Sequence, residues 1–209
     1  MNENGHRGAY RGKRLTDLAI VALTLPITAP AAALTWIAVR FTSGSPVLFK
    51  QTRVGRHGRD FELLKFRTMT TGDNPIVPDP ARITPIGKLL RRTSLDELPQ
   101  LINVLRGDMS VIGPRPTLRY QVERYDDRQR QRLLARPGLT GLAQVSGRNS
   151  LQWAQRIELD IEYVHTHSIT MDLRILLRTM AAIVGGEGVL GHDPTDPFVD
   201  GPTADESIA

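Results

Sequence analysis

Between Leu18 and Val39 the chain runs for 22 residues without a charged side chain. A straight helix of that length covers about 33 Å, enough to cross the hydrocarbon of a bilayer. No other stretch limits the fold as strongly, because backbone in lipid has to satisfy its own polar groups, and within one segment only a helix does so. Pro26 and Pro30 interrupt the run. Each removes a helix bond and bends the axis. Three readings compete. The first is a spanning anchor. The second is a cleaved leader, with Ala29-Pro30-Ala31 or Ala31-Ala32-Ala33 as the cleavage pattern. The third is a helix that enters one leaflet, breaks and returns. Arg7, Arg11, Lys13 and Arg14 precede the run, and Arg40, Lys50, Arg53 and Arg56 follow it. Basic flanks favour the cytoplasm, and only the returning helix puts both flanks there.

The remainder suits one domain with appendages. Of 209 residues, 40% are apolar, which allows a sizeable core, and the absence of cysteine excludes disulfides and thiolate metal sites. The net charge of +5 hides an asymmetry. Residues 185–209 hold six acids (Glu187, Asp193, Asp196, Asp200, Asp205, Glu206) and no Lys or Arg, so the body carries 27 basic and 16 acidic residues. A basic body suits nucleic acid, an anionic membrane surface or a phosphorylated substrate. Aromatics at 5% weigh against a stacking platform for single-stranded nucleic acid. The expected organisation is a disordered arm over 1–12, a membrane helix over 13–40, a globular domain over 41–184 and a disordered acidic tail over 185–209.

Two adjacent carboxylates, Asp96 and Glu97, follow Arg91-Arg92, and apolar residues at Leu98, Leu101, Ile102 and Leu105 then take up helical spacing. The pattern predicts a helix that starts at the acids and stops at Gly107. Free N–H groups and the positive dipole end at such a start hold carboxylates ionised and hold phosphates too. A plain capping role also fits, since Ser94-x-x-Glu97 is a capping-box pattern. Pro99 is tolerated if the helix begins at Asp96.

Elsewhere, Val47–Gln51 and Phe61–Arg67 flank a turn and predict a short β-hairpin. Lys65 and Arg67 then share a face, as a phosphate grip or as solvated charges. Residues 70–80 read as a loop. Thr84-Pro85 predicts an N-cap followed by proline at the first helical position, with a short helix to Arg92. Arg115 sits between two prolines, a rigid mount for a guanidinium or simply a rigid turn. Residues 120–135 read as a charged, largely solvated helical stretch, Trp153–Tyr163 as a helix, and Asp172–Val184 as an amphipathic helix for the core or a membrane surface. His165 and His167 read as structural. There is no internal repeat, GxGxxG or P-loop.

Several of these stretches together resemble one family. They are Lys13-Arg14-x-x-Asp17, Lys65-Phe66-Arg67-Thr68-Met69, Ser94-Leu95-Asp96-Glu97-Leu98-Pro99-Gln100, Gly107-Asp108-Met109-Ser110, Gly113-Pro114-Arg115-Pro116, Arg136-Pro137-Gly138 and Gly147-Arg148-Asn149. In this order they resemble the bacterial sugar transferases, or monotopic phosphoglycosyl transferases, in a minimal stand-alone form. The resemblance implies transfer of a sugar phosphate from a UDP-sugar to polyprenyl (undecaprenyl) phosphate, with release of UMP and with Mg²⁺, at the start of a bacterial glycan pathway. It implies Asp96 as nucleophile and metal contact, Glu97 as a proton-handling partner, and Lys65, Arg91, Arg115 and Arg148 near the phosphates, joined by the grip residue Arg67. It implies the cytoplasmic face of the inner membrane, its lipids as partners, and a re-entrant first helix. Where a well-studied branch has Ser-Pro at the break, this chain has Ala29-Pro30 with an additional Pro26. The expected fold is α+β, a helix-rich cytosolic domain with a short β-hairpin, the re-entrant helix and amphipathic interfacial helices. The sugar, the pathway and the oligomeric state, a homodimer included, stay open, as does a rival in which a basic membrane-surface adaptor uses the acids only as a cap.

Overall fold

A computed structural model describes residues 10, 12–70, 80–147 and 151–185. Arg148 and the tail from residue 186 onward lie outside them.

The uncharged run forms α1, Lys13–Ser43, which continues through Pro26 and Pro30 and ends at Gly44 with φ 73°. It is thus longer than the expected 13–40 segment. Thr24, Thr28 and Thr35 each donate to the carbonyl four residues earlier, a pattern that bends helices. Burial in α1 is confined to its two ends. Lys13, Asp17 and Val21 are buried at the start and Thr35 and Val39 near the finish, while Leu23, Ile27 and Leu34 between them are 80%, 77% and 68% exposed.

Each end has its own attachment. At the start, Asp17 accepts from Ser110 Oγ at 2.8 Å and Val111 N–H at 3.1 Å, and Lys13 bridges Asp17 and Asp172. Tyr163 and Tyr10 donate to Asp172 at 2.8 and 2.9 Å. Two buried acids thereby share one lysine and several donors, the satisfaction that buried charge requires. At the finish, Val39 packs with Val47, Phe66 and Leu90.

The predicted hairpin is present. β1 (Leu48–Val54) and β2 (Asp60–Phe66) pair antiparallel, with Phe49 opposite Lys65, Gln51 opposite Leu63 and Arg53 opposite Phe61. Helix α2, Pro85–Thr93, starts as expected, with Thr84 Oγ1 accepting from Gly87 N–H at 3.0 Å. Helix α3, Gln100–Arg106, ends at Gly107 with φ 90°. Asn103, fully buried, accepts from Leu64 N–H at 3.1 Å and donates to the Glu62 carbonyl at 2.7 Å, fixing β2 to α3.

A second, unexpected sheet joins β3 (Ser110–Ile112) to β4 (Gly138–Thr140) in parallel. Three-residue strands leave no alternation to read. Gly138 permits the pairing, since a Cβ there would collide with the backbone of Gly113. The charged stretch after Arg119 is broken into α4 (Arg119–Glu123), α5 (Asp127–Arg130) and a 3-10 turn at Gln131–Leu134. It is less solvated than its charge suggests, since Val122, Tyr125 and Arg132 are buried. Short α6 (Leu142–Ser146) leads to α7 (Trp153–Thr166) and α8 (Ile169–Val184). Asp160 of α7 is 2% exposed. Ile169, Leu173, Leu177, Met180 and Ile183 of α8 form an exposed apolar stripe at helical spacing.

Candidate active site

The two acids do not lie in the first turn of an α-helix. Ser94 ends α2 in the left-handed conformation, φ 57° and ψ 17°, and Leu95–Glu97 forms a separate 3-10 turn. The reason is Pro99. Without an N–H it cannot bond to the Leu95 carbonyl, which instead accepts from Leu98 N–H at 3.3 Å. The α-helix proper therefore begins only at Gln100. Left-handed serine is uncommon and costs roughly 1–3 kcal/mol. Here it reverses the chain, so that the end of α2 with Arg91 stands beside the acids.

The two carboxylates have unlike surroundings. Glu97 Oε1 accepts from Lys65 Nζ at 2.7 Å and from Arg115 Nη2 at 3.5 Å. Burial opposes its charge, but those two cations prevail and hold it below the usual carboxylate range. Asp96 is 7% exposed and has no side-chain ion pair among the described residues. Burial pushes it up to about 6, with Lys65 and Arg91 opposing and Glu97 reinforcing. No α-helix N-terminus stands at Asp96, because Leu95–Glu97 is a separate 3-10 turn, and the nearby Arg91 opposes the desolvation without overcoming it. Even so, a carboxyl of that pKa is ionised by roughly ten to one at neutral pH.

Of the residues read from the sequence, Lys65, Arg91 and Arg115 gather around the acids. Arg91 Nε donates to Thr68 Oγ1 at 3.0 Å and faces Asp96 as a neighbouring charge. Arg67 does not join them. It lies one residue beyond β2 and donates to the Ser43 and Ser45 carbonyls, closing the end of α1. Arg148 lies outside the described residues. Three contributors escape the sequence reading. Thr68 aims Arg91, Arg132 holds the Arg115 carbonyl at 3.1 Å, and Arg53 approaches from β1. Only the Gln51-x-Arg53 spacing, two residues on one strand face, carries a signal for the last.

No three His, Cys, Asp or Glu side chains cluster as a metal site among the described residues. The donor set nevertheless fits Mg²⁺ in the form that accompanies phosphates, where one or two carboxylates suffice and phosphate and water supply the remaining ligands. Asp96 is the carboxylate free to do so, whereas Glu97 is held by two cations. A cavity of about 200 Å³ lies apart from the acids, beneath the start of α1, lined among others by Lys13, Asp17, Arg136 and Tyr163.

The site thus combines a buried acid with no ion pair among the described residues, an acid clamped by two cations, and Arg91 as a further neighbouring charge. The profile of the bacterial sugar transferases matches residues 9–186. The chain is 44% identical over 180 residues to the uncharacterized sugar transferase EpsL of Bacillus subtilis, covering 85% of this chain and 89% of that one. It is 44% identical over 185 residues to the UDP-glucose:undecaprenyl-phosphate glucose-1-phosphate transferase of Caulobacter vibrioides, covering 82% and 69%. It is 38% identical over 196 residues to the undecaprenyl-phosphate galactose phosphotransferase of Salmonella typhimurium, covering 84% of this chain and 41% of that one. The chain belongs to the bacterial sugar transferase family.

Proposed function

We propose that this protein is a phosphoglycosyl transferase that moves a sugar 1-phosphate from a UDP-sugar to polyprenyl phosphate and releases UMP. The activities for which the Caulobacter and Salmonella relatives are named support the substrate classes, with glucose and galactose as the first sugars to try. The observation that carries the mechanism is the asymmetry of the dyad. Asp96 is desolvated and has no ion pair among the described residues, whereas Glu97 is occupied by Lys65 and Arg115. The free acid is the nucleophile.

In the first step an Asp96 oxygen attacks the β-phosphorus of the donor. The bond from that phosphorus to the oxygen bridging the two phosphates breaks, and UMP leaves with that oxygen. The sugar phosphate stays on Asp96 as an acyl phosphate. In the second step a phosphate oxygen of the lipid attacks the same phosphorus, frees Asp96 and yields the polyprenyl diphosphate sugar. Attack of a carboxylate on a phosphoryl group is opposed by charge, so Lys65, Arg91 and Arg115 are needed to offset it. Mg²⁺, held by Asp96 together with the donor phosphates, would supply further positive charge. Glu97 holds Lys65 and Arg115 in place. Being ionised, it can accept a proton from the incoming lipid phosphate but has none to donate.

A re-entrant α1 on the cytoplasmic side of the membrane fits the same reading. Val21 clusters with Leu63 of β2 and Val39 with Phe66 of the same strand, while the middle of α1 faces outward. Leu63 and Phe66 are about 10 Å apart along a strand, whereas Val21 and Val39 would be about 27 Å apart along a straight helix. The apolar stripe of α8 supplies an interfacial face. A cleaved leader would remove Lys13 and Asp17, on which β3 and α8 depend.

The test is intact-protein mass spectrometry after incubation with UDP-glucose or UDP-galactose and Mg²⁺, without lipid acceptor. One added hexose phosphate in the wild type, absent in Asp96→Asn, is the expected result. If UMP appears only once acceptor is present and no adduct forms, direct transfer replaces the covalent scheme.

A further inference from the structure

The cations around the dyad fall into two groups. Arg91 stands by Asp96, Lys65 lies between the two acids with its ion pair on Glu97, and Arg115 stands on the Glu97 side. Arg53 belongs with the second group. Its Nε and Nη2 donate to Gln51 Oε1 at 3.1 and 2.7 Å, and its Nη1 to the Pro116 carbonyl at 3.4 Å. Val54, the next residue, donates its N–H to the Thr117 carbonyl at 2.9 Å. The end of β1 is therefore laced to the Arg115-Pro116-Thr117 segment, and Arg53 and Arg115 reach the Glu97 side of the dyad from two directions.

The contacts of Arg53 are unusual in kind. Gln51 fixes the guanidinium through two bonds that converge on one oxygen, Oε1, and it brings no charge. No carboxylate pairs with Arg53 among the described residues; Arg115 and Glu97 act on it as neighbouring charges, and Glu97 is already engaged. Arg53 is half-buried, and burial together with Arg115 pushes it down to about 10. Two arginines held close with one shared carboxylate are costly in an empty site and suited to an anion that bridges them. Two of the five Arg53 N–H groups have no acceptor among the described residues and are available to that anion.

We propose that Arg53, aimed by Gln51, forms with Arg115 a second phosphate seat on the Glu97 side of the dyad. The seat takes a phosphate other than the one under attack at Asp96. Its ligand is a phosphate monoester, either the UMP phosphate that leaves or the lipid phosphate that arrives. The inference rests on the transfer reaction proposed above for its place in the cycle, but its binding chemistry is measurable without turnover.

The test is equilibrium titration of the purified full chain with UMP and, separately, with a short-chain polyprenyl phosphate in detergent. The variants are Gln51→Glu and Arg53→Lys. Gln51→Glu keeps the shape and gives Arg53 a carboxylate of its own, so the fold is kept, as thermal unfolding checks, while the seat is neutralised. Arg53→Lys keeps the charge and loses the planar fork. A tenfold or larger weakening of UMP binding in Gln51→Glu, with a smaller loss in Arg53→Lys, assigns the seat to the leaving phosphate. Unchanged UMP binding with tenfold weaker lipid phosphate binding assigns it to the acceptor. Binding of both ligands within twofold of wild type in both variants overturns the proposal, as does a wild type that binds neither. Absence of a covalent adduct in the wild type would sink the transfer mechanism and leave these titrations to decide the seat.

Discussion

Arg132 does not bond to either acid of the dyad, yet its removal should be among the most damaging single changes outside it. Its guanidinium is bonded to Asp160, donates to Tyr125 Oη at 2.6 Å and to the Arg115 carbonyl at 3.1 Å. The side chains of Arg132 and Asp160 are 6% and 2% exposed. Arg132→Met keeps the bulk and strands a buried carboxylate, a change that costs about 3–5 kcal/mol. For a chain of this length each kcal/mol is worth roughly 2–4 °C, so Tm should fall by roughly 6–20 °C. Adding Asp160→Asn removes the stranded charge and should restore more than half of the loss. The pH dependence has a definite sign. Burial raises the Asp160 carboxyl and Arg132 is the largest influence against it. Without Arg132 the folded state binds that proton more tightly than the unfolded chain. The defect should then grow as pH rises from the usual carboxylate range through the raised value, and shrink on acidification. Thermal unfolding in detergent, followed by Trp fluorescence, reports on this region because Trp153 packs 5.8 Å from Tyr125. A Tm within 2 °C of wild type, or a double variant no better than the single, would refute the reasoning.

Other expectations are more local. Asp96→Asn should abolish turnover yet be at least as stable as wild type at neutral pH, because burial penalises the ionised carboxylate; a clear drop in Tm would mean the acid is structural. Glu97→Gln should lose most activity through release of Lys65 and Arg115, read as a lower rate of UMP release at saturating donor. Gly87→Ala should cost about 1–3 kcal/mol and depress activity, because a Cβ there meets the Thr68 backbone, whose side chain aims Arg91; unaltered Tm and rate would show that the contact yields. Replacing Pro26 and Pro30 together by Leu should favour a spanning α1, seen as labelling at only one of two cysteines placed at Asn4 and Ser45 by an impermeant reagent in intact cells. Neither position labels in the otherwise unchanged chain if both flanks are cytoplasmic.

The sequence is informative wherever a residue type has a single physical use. The uncharged run, Thr84-Pro85, Gly107 and the alternating strands each have one local solution, and the structure adopts it. The dyad turn was only half legible. Its place between two helices follows from the apolar spacing, but its 3-10 form follows from one missing N–H at Pro99, which competes with a capping-box reading of Ser94 and Glu97. The β3–β4 pairing was not legible at all, because it joins two three-residue segments distant in the chain and turn-like in composition. Charge misled for a related reason. Arg132 and Asp160 look like surface residues one at a time, and only their pairing across two elements buries them. Arg67 and Lys65 share a strand pattern, but the first residue past β2 already answers to the end of α1.

That assignment of Arg67 bears on how the membrane helix and the chemistry depend on one another. Arg14, at the start of α1, donates to the Val104 and Leu105 carbonyls at the end of the helix that follows the dyad. Arg67, just after Lys65, donates to the carbonyls of Ser43, the last residue of α1, and Ser45 beyond it. Leu95 and Leu98, flanking the acids, pack against the cluster that contains Val39. Both ends of α1 are thus fastened to elements that carry or adjoin the dyad and its lysine. A helix that spanned the bilayer would leave its two ends on opposite sides and would have to surrender one set of fastenings. Loss of the Arg14 set frees the end of α3, and loss of the Arg67 set frees the strand end that places Lys65 on Glu97. Straightening α1 should therefore disable the site itself as well as relocate it, and a Pro26/Pro30 variant that became fully spanning yet kept wild-type turnover would break this argument.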